Sequence, residues 1–355
     1  MDATLLRQLE TASIAVGRLD GIGRLLPGPD ELLYSYVRKE AVLSSQIEGT
    51  QSSIADLLMH ESSAAPGVPL DDVQEVSNYI AAMNHGVELL GTLPLSLRLI
   101  RGLHEELVQG TRGSHQTPGE FRRSQNWIGG SSPRDAVYVP PPVNEVMPAL
   151  GALEKFIHDH SVPALIKAGL VHVQFETIHP FLDGNGRVGR MLIPLIFVAE
   201  GLLERPWLYM SLHFKRHRSR YYELLQTVRT HGAWEEWIAF FLDGVARVAD
   251  GAVEKIRDLL ALFERDRMRI ATSRSGPLYQ RVAVHTNIEV YELLRKRVVI
   301  RAPEAAAALA TSKPTIARAL DELERMGIAH EVSGKPRNRI WVYQEYLDIL
   351  NRDPP

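Results

Sequence analysis

Apolar residues recur at three- and four-residue spacing through most of the chain, from Leu5 to about residue 270. This spacing is typical of helices that bury one face. Glycines and prolines between Gly21 and Pro29 divide the first part of the pattern into two helical stretches. The spacing therefore predicts a mainly α fold over this range, with very little strand.

A turn-rich segment interrupts the helical pattern after residue 110. Residues 127–128 and 136–139 are strand-forming, and the residues between them are turn-forming. Two short strand-like runs around such a turn indicate a β-hairpin. We expect one hairpin over residues 127–139, ended by the three prolines that follow it.

The pattern changes after residue 277. A helix opened by Pro303, a TSKP turn and a helix from Thr315 to Met326 precede two strand-like runs that end at Tyr343. This order resembles a winged helix-turn-helix, in which the second helix of the motif reads DNA. We predict such a domain over residues 277–355.

The charges of this region do not identify its partner. Between Lys313 and Arg325 three basic residues are balanced by three acidic ones, whereas binding to DNA by counterion release needs a basic face. Only the wing is clearly cationic, with Lys335, Arg337 and Arg339. DNA binding and protein binding therefore both remain open for this domain.

Composition excludes several classes of protein. The 355 residues carry a net charge of −3 and are 45% hydrophobic, as in ordinary globular domains. The absence of cysteine excludes a disulfide framework and a thiol nucleophile, so we expect a cytoplasmic location. The longest apolar run, residues 191–203, contains Pro194 and Glu200 and is too short to cross a bilayer, so no membrane partner is expected.

The segment His179–Arg190, HPFLDGNGRVGR, has an unusual composition for a connection between two helices. Residues 184–186 permit a backbone in which successive N–H groups converge on an anion at the start of a helix. Arg187 and Arg190 are three residues apart and can face one polyanionic ligand. The pattern predicts a phosphate-binding loop.

Two more side chains of this segment suit nucleotide chemistry. Asp183 offers the hard oxygen ligand that Mg²⁺ prefers, and His179 can accept a proton near neutral pH. Taken singly, the features of the segment also fit an ordinary turn, a helix cap, surface ion pairs and a structural histidine. Their combination in one short segment favours a nucleotide site.

The segment resembles the signature of the Fic family, HPFx(D/E)GNGRxxR, and every specified position of that signature is present. The resemblance implies a helical core and transfer of AMP from ATP to a hydroxyl group of a target protein, with release of pyrophosphate. It also implies a role for each signature position: the general base is His179, the Mg²⁺ ligand is Asp183 and the apolar anchor is Phe181. The α- and β-phosphates would be bound by Gly184, Asn185 and Gly186, a further phosphate contact would come from Arg187, and the γ-phosphate would be held by Arg190.

Two other segments extend the resemblance. The hairpin resembles the family's flap, here residues 125–141, which pairs with a target segment by strand addition. Ile128, Gly129 and Gly130 fall where flap residues approach the nucleotide, and Tyr221, the first of a tyrosine pair, resembles an adenine-side contact. A tyrosine at the start of a helix is also commonly packed in the core, so both interpretations of this side chain stay open.

The segment Ser44–Gly49, SSQIEG, resembles the family's inhibitory motif, (S/T)xxxE(G/N), which implies inhibitory roles for Ser44 and Glu48. Gly49 is a typical residue just after a helix end, which puts Glu48 in the last turn, where the helix dipole disfavours a carboxylate. A cation would relieve this, and the resemblance implies Arg190, at the site of the γ-phosphate. The alternative is an ordinary surface carboxylate.

We therefore predict an N-terminal helical region over residues 1–110 that carries the inhibitory helix at about 35–49, a catalytic core over 111–270, and the winged helix. The predicted function is a protein adenylyltransferase that uses ATP and Mg²⁺ to modify a Ser, Thr or Tyr hydroxyl and is restrained by Glu48. Self-modification, the reverse removal of AMP and a homodimer are left open. The alternative is an ATP-sensing DNA-binding regulator or adaptor without transferase activity.

Overall fold

The protein is described here by a computed structural model that covers residues 2–26, 29–61, 70–273, 278–335 and 339–352. Over these ranges the chain is mainly helical, so the predicted fold class is confirmed. The helices up to residue 272 are α1 (Ala3–Arg24), α2 (Pro29–Ile47), α3 (Ile54–Glu61), α4 (Leu70–Leu90), α5 (Leu97–Val108), α6 (Val143–Ile157), α7 (Ala164–Ile178), α8 (Asn185–Ala199), α9 (Ser211–Arg216), α10 (Arg218–His231) and α11 (Trp234–Thr272).

The remaining elements mix helices with short strands. They are α12 (Leu278–Arg297), β1 (Val299–Arg301), α13 (Ala302–Ala308), α14 (Lys313–Arg325), β2 (His330–Glu331), β3 (Ile340–Val342) and α15 (Gln344–Asn351). The strands form one antiparallel sheet in the order β1-β3-β2. Within it Trp341 lies opposite both Ile300 and Glu331.

The chain divides into two compact units. The first comprises Met1–Pro27, Tyr36–Ile54 and Val68–Ala252, and the second comprises Gly28–Ser35, Ala55–Gly67 and Val253–Pro355. Most of the ranges that we predicted as an N-terminal region and a catalytic core lie in the first unit, whereas residues 28–35, 55–67 and 253–270 lie in the second. The predicted boundary near residue 277 stays a prediction.

Helices α7 and α8 form the centre of the first unit. α8 packs against α4, α5 and α7, and its side chains from Arg187 to Phe197 are buried. A helix that is covered on all sides is normally apolar all round. Two arginines in the first turns of α8 break this rule, since Arg187 and Arg190 are only 4% and 2% exposed. A buried arginine is costly unless other groups satisfy its donors and its charge, so these two side chains mark this end of α8 as unusual.

The predicted hairpin is reduced to a single bridge between Ile128 and Tyr138. The Ile128 N–H donates to the Tyr138 carbonyl at 2.9 Å, and the carbonyl of Ile128 accepts from the N–H groups of Val137 and Tyr138. Between them the Asp135 carboxylate accepts from the backbone N–H groups of Ser131 and Ser132 and fixes the turn. The three prolines after Val139 lack backbone donors, so the pairing cannot extend further.

The second unit has the element order that we expected of a winged helix-turn-helix, and that assignment stays a prediction. β1 and α15 were not predicted from the sequence pattern. Arg337 lies outside the described residues. Arg339 forms ion pairs with Asp321 and Glu324 of α14, at 2.8 and 3.2 Å, so this cation is neutralised within the unit.

No helix in the part of the chain that the structure describes is both long and apolar enough to span a membrane.

Candidate active site

The predicted phosphate loop connects α7 to α8 in the first unit. His179 ends α7 in a left-handed conformation, with φ of +49°, which costs a residue other than glycine about 1–2 kcal/mol. Gly184 precedes α8 with φ of +77°, a conformation that glycine adopts without strain. The loop therefore depends on contacts that hold it in this shape.

One set of contacts comes from Asn185. Its side-chain oxygen accepts from the Phe181 N–H at 2.8 Å, and its amide group donates to the Phe181 carbonyl at 2.8 Å. The ring of Phe181 is fully buried. In this structure Asn185 shapes the loop, and Phe181 occupies the apolar position that we expected of an anchor.

A second support is His104 of α5, which nothing in the surrounding sequence marks. Its ring stacks on Phe181, with centroids 3.7 Å apart and planes 7° from parallel. Since the Gly119 N–H donates to Nδ1 at 3.0 Å, the proton of the neutral ring lies on Nε2, which donates to the Asp183 carbonyl at 3.0 Å. Burial lowers the pKa of His104 to about 4, so the ring keeps this neutral form at pH 7.

Two further supports, Arg122 and Asn126, also lack any sequence signal. The guanidinium of Arg122 donates to backbone carbonyls of the loop and of the flap ends. One of these is the carbonyl of His179, at 3.0 Å. The Asn126 amide donates to the carbonyls of His179 and Phe181, at 3.3 and 2.9 Å. The partners of both side chains are main-chain atoms, which a sequence pattern does not reveal.

The anionic partner of Arg190 is Glu48, the residue that follows the end of α2. Nη2 of Arg190 lies 2.6 Å from Oε1 of Glu48, although 142 residues separate them in sequence, and Nε donates to the Ser44 hydroxyl at 2.9 Å. Burial alone would raise the pKa of Glu48, but the adjacent Arg190 more than offsets this and leaves that pKa below its usual value. The structure thus brings together Ser44, Glu48 and Arg190, with the carboxylate ionised.

Gly186 shows where this carboxylate lies. A Cβ built on Gly186 would collide with Oε1 of Glu48 and would lie 3.0 Å from Nη1 of Arg190. Gly186 is the second residue of α8, where free backbone N–H groups and the helix dipole favour a negative charge. The Glu48 carboxylate therefore lies at the end of α8 that we predicted to bind phosphate.

Arg187 also faces carboxylates. Its Nη1 lies 3.1 Å from Oε2 of Glu75, with both side chains buried, and its Nη2 lies 3.8 Å from Oδ1 of Asp183. This position beside the start of α8 is compatible with the expected phosphate contact.

Asp183 has the exposure that a metal ligand needs. Its side chain is 40% exposed, and Oδ1 accepts from the Gly184 N–H at 2.7 Å. No cluster of three metal-ligating side chains occurs among the residues with described positions. A single exposed carboxylate nevertheless fits Mg²⁺, because this ion is commonly held by one or two carboxylates together with substrate phosphates and water.

His179 presents a neutral imidazole. Its side chain is 18% exposed, and its Nδ1 lies 4.0 Å from Oε2 of Glu176. Nδ1 itself is buried without a hydrogen-bond partner among the described atoms. Burial, followed by the nearby Arg229, lowers the pKa of His179 to about 4. At pH 7 the ring is therefore neutral, and one of its two nitrogens can accept a proton.

The structure argues against the expected adenine contact of Tyr221. Its side chain is only 1% exposed, it stacks on Phe214 at 4.5 Å, and its hydroxyl donates to Nε2 of His172 at 2.9 Å. The packed alternative that we left open describes it better, because a fully covered ring has no surface for a ligand. Tyr222, the second tyrosine of the pair, is 41% exposed.

The flap glycines have structural surroundings of their own. Gly129 and Gly130 have φ of +69° and +71°. A Cβ on Gly129 would lie 2.8 Å from Cγ2 of Val137, and one on Gly130 would lie 2.6 Å from the Asp135 carbonyl. Together with the bridge at Ile128, these glycines shape the flap turn, and their approach to a nucleotide remains a prediction.

Comparison with known families and proteins gives consistent matches. A model for the Fic/DOC family N-terminal region matches residues 6–88, and a Fic/DOC family model matches residues 94–197. The chain is 26% identical over 256 residues to protein adenylyltransferase Fic of Drosophila virilis, covering 70% of this chain and 48% of that protein. Against the Drosophila ananassae protein of that name it is 26% identical over 213 residues, covering 58% and 39%. The chain thus spans about half the length or less of these relatives.

Solved structures share the fold. A Fic family protein from Desulfovibrio desulfuricans G20 superimposes with a TM-score of 0.60 at 17% identity, covering 97% of this chain and 96% of that one. Fic-1 from C. elegans gives a TM-score of 0.53 at 20% identity, covering 73% and 74%. At these identities the similarity establishes the architecture alone.

Proposed function

The chain belongs to the Fic/DOC family, and on that premise we propose that it transfers AMP from ATP to a hydroxyl group of a target protein. The observation that carries the proposal is the neutral imidazole of His179 in the same short loop as the start of α8, where Arg187 and Arg190 are buried. A proton acceptor beside a cationic helix N-terminus suits nucleophilic attack on a nucleotide phosphate.

In the proposed reaction the imidazole of His179 accepts the proton of a Ser, Thr or Tyr hydroxyl. The hydroxyl oxygen then bonds to the α-phosphorus of ATP, the bond to the β-phosphate breaks, and pyrophosphate leaves with its electron pair. The N–H groups at the start of α8, Arg187 and Arg190 would hold the phosphates. Positioning and charge stabilisation of this kind account for most of the catalysis in phosphoryl-type substitutions.

Asp183 would hold Mg²⁺, which supplies positive charge to the phosphates when bound. Two observations support this assignment. The carboxylate of Asp183 is exposed, and its Oδ1 accepts a hydrogen bond from the Gly184 N–H. The flap at 125–141 would present the target segment through backbone pairing. Self-modification and a target on another protein are both compatible with this arrangement.

Glu48 would restrain the reaction. Its carboxylate lies over Gly186 and pairs with Arg190, so it would compete with a phosphate for the same cation and the same helix N-terminus. We expect Glu48→Gly to raise AMP transfer roughly ten-fold or more, since each 1.4 kcal/mol of lost competition is a factor of ten. Glu204→Gly, which removes an exposed carboxylate near Arg24, is the matched control and should leave the rate unchanged.

The experiment uses ATP labelled at the α- or the γ-phosphate, with the chain alone and with a cell extract as the source of targets. Protein-bound label from α-labelled ATP only supports the proposal, and label from γ-labelled ATP only contradicts it. His179→Ala should lower transfer by about 10²–10⁴-fold while ATP binding, measured by calorimetry, is retained. No label from either nucleotide, even with Glu48→Gly, would favour the ATP-sensing regulator instead.

The location and assembly of the protein remain predictions. A cytoplasmic location rests on the absence of cysteine, and neither a homodimer nor a DNA partner of the second unit has support beyond the sequence pattern.

A further inference from the structure

Arg122 is a buried cation without a carboxylate partner among the described residues. It lies between α5 and the flap and is only 2% exposed. Burial lowers its pKa, and the hydrogen bonds of its guanidinium all go to backbone carbonyls. A buried guanidinium is costly unless its donors are satisfied, so these carbonyls must stay in place around it.

The carbonyls belong to two separate parts of the proposed site. Nη1 donates to Ser124 at 3.3 Å and Nη2 to Pro141 at 2.5 Å, which are the two ends of the flap. Nε donates to His179 at 3.0 Å, and Nη2 reaches Ile178 at 3.4 Å. One rigid guanidinium plane therefore joins both ends of the flap to the residue that would accept the proton.

The backbone of Arg122 adds to this contact. Its N–H donates to the Pro180 carbonyl at 2.8 Å, so carbonyls of three successive residues, 178–180, accept from this one residue. His179 lies in the middle of the three in its left-handed conformation. A planar fork with five donors is suited to hold several carbonyls at fixed relative positions, whereas a lysine offers a single nitrogen.

We propose that Arg122 is a positioning residue that fixes the flap and the His179 loop as one rigid body, so that a hydroxyl presented on the flap meets the His179 ring. This inference deepens the proposed function and rests on it for the catalytic consequence. Arg122 has no hydrogen bond to the start of α8, to Asp183 or to Arg190 among the described atoms. Because none of its hydrogen bonds among these atoms reaches the proposed phosphate site, its loss should lower the rate of the transfer step much more than the affinity for the nucleotide.

The test replaces Arg122 with methionine, which keeps most of the apolar stem and removes every side-chain donor. Hydrogen–deuterium exchange of the full chain is expected to rise by roughly ten-fold or more in residues 124–141 and in residues 179–183 together, with α8 unchanged beyond its first turn. Arg123→Met is the matched control, because the Arg123 side chain is 85% exposed and pairs with Glu120, and it should change neither segment.

The same substitution in the Glu48→Gly background should lower kcat for AMP transfer by roughly ten-fold or more, as expected when a reacting group is displaced, with the Kd for ATP within about two-fold. If Arg122→Met does not fold, Arg122→Lys serves, with a smaller rise in exchange in the same two segments. Unchanged exchange in either segment, or an equal loss of ATP binding, overturns the proposal. If the Glu48→Gly parent transfers no AMP, the proposed function fails, and the exchange experiment still decides the role of Arg122.

Discussion

The arginines at the start of α8 are paired with carboxylates from segments that are distant in sequence. Arg190 pairs with Glu48, and Arg187 pairs with Glu75. Removing one partner of a buried ion pair is strongly destabilising, because the other charge is left unsatisfied. A bound polyanion would supply the missing negative charge. If a phosphate replaces Glu48 beside Arg190, the charge of Arg190 is therefore never left unsatisfied.

At the scale of single residues, His104 gives a prediction about the metal. His104→Phe keeps the stacking on Phe181 but removes the donor to the Asp183 carbonyl and the acceptor for Gly119. Loss of an outer contact of this kind typically weakens metal binding ten-fold or more. We expect the Mg²⁺ concentration for half-maximal AMP transfer to rise by roughly ten-fold, measured by Mg²⁺ titration in the Glu48→Gly background.

The control for this prediction is His85→Phe, since His85 lies on the surface with half of its side chain exposed and pairs with Glu106. It should leave the Mg²⁺ requirement as it is. An unchanged requirement in His104→Phe would show that the Asp183 carbonyl needs no donor from α5.

The sequence predicts those residues of the site that lie close together in the chain. His179, Asp183 and Arg190 belong to one twelve-residue segment, so their combination is visible without the fold. His104 and Arg122 are not predictable in this way, because they act on backbone carbonyls brought close only by packing. For Tyr221 the sequence leaves a nucleotide contact and core packing both open, because a tyrosine pair near a helix start does not show which ring is buried.

At the scale of elements, the C-terminal end of α2 is held by residues from α9 and α10. Lys215 donates to the Gln46 side chain at 2.6 Å, and Nη2 of Arg218 donates to the Ile47 carbonyl at 3.0 Å. Ile47 is the last residue of α2, where carbonyls lack helical partners and a cation is favourable. These contacts place Glu48, the next residue, over the start of α8.

We expect Arg218→Ala to weaken this placement and to raise AMP transfer about two- to five-fold, because a net hydrogen bond contributes about 1 kcal/mol. In the Glu48→Gly background the substitution should have no further effect, since the inhibitory carboxylate is already absent. Both rates are measured with α-labelled ATP. Arg220→Ala, which removes an exposed arginine of α10 paired with Glu223 and Glu236, is the control. An equal gain in both backgrounds would contradict the idea that Arg218 acts through Glu48.

Helices were easier to predict than strands in this chain. The three- and four-residue spacing predicts α1, α2 and α14 to within a few residues, and α1 and α14 each bury one face as this spacing indicates. The turn residues between 128 and 138 indicate the flap, although they do not show that its pairing is a single bridge. β1 has only three residues, and its position depends on hydrogen bonds to the distant β3.

At the scale of the whole molecule, buried titratable groups of opposite type set the pH dependence of stability. Burial is the main cause of a lowered pKa in four histidines of the first unit. The pKa is lowered to about 3 in His172 and to about 4 in His104, His179 and His213. Below about pH 6.5 these histidines bind protons in the unfolded chain but stay neutral in the folded protein. The contribution of these histidines to the free energy of unfolding therefore falls as the pH falls.

Two buried glutamates act in the opposite direction. Burial raises the pKa of Glu40 and of Glu176 to about 7. Between about pH 4.5 and 7 the folded protein therefore holds protons that the unfolded chain has released, and this contribution falls as the pH rises. The histidines outnumber the glutamates, so the net stability should rise from pH 5 to about 6.5 and then level off towards pH 7, where the two contributions cancel.

Urea denaturation at constant ionic strength, followed by circular dichroism, measures this profile. We expect the free energy of unfolding to rise by at most roughly 2–3 kcal/mol per pH unit between pH 5 and 6.5. His213→Gln should reduce the slope by about one proton, whereas His158→Gln, at an exposed position, should not. A profile that is flat from pH 5 to 6.5 would contradict the assignment of neutral buried histidines.

The missing side chain at Gly186 limits how the protein could become permanently active. Any larger residue there would push aside the Glu48 carboxylate, but it would fill the same space that a phosphate group needs. The Glu48 carboxylate and the substrate phosphate thus need the same free space beside Gly186. A larger side chain there would relieve the inhibition by Glu48 but would also hinder ATP binding. Variants that gain activity without losing ATP binding should therefore arise at Glu48, on α2 or on the residues that hold its C-terminal end, and a genetic screen for them should recover none at position 186.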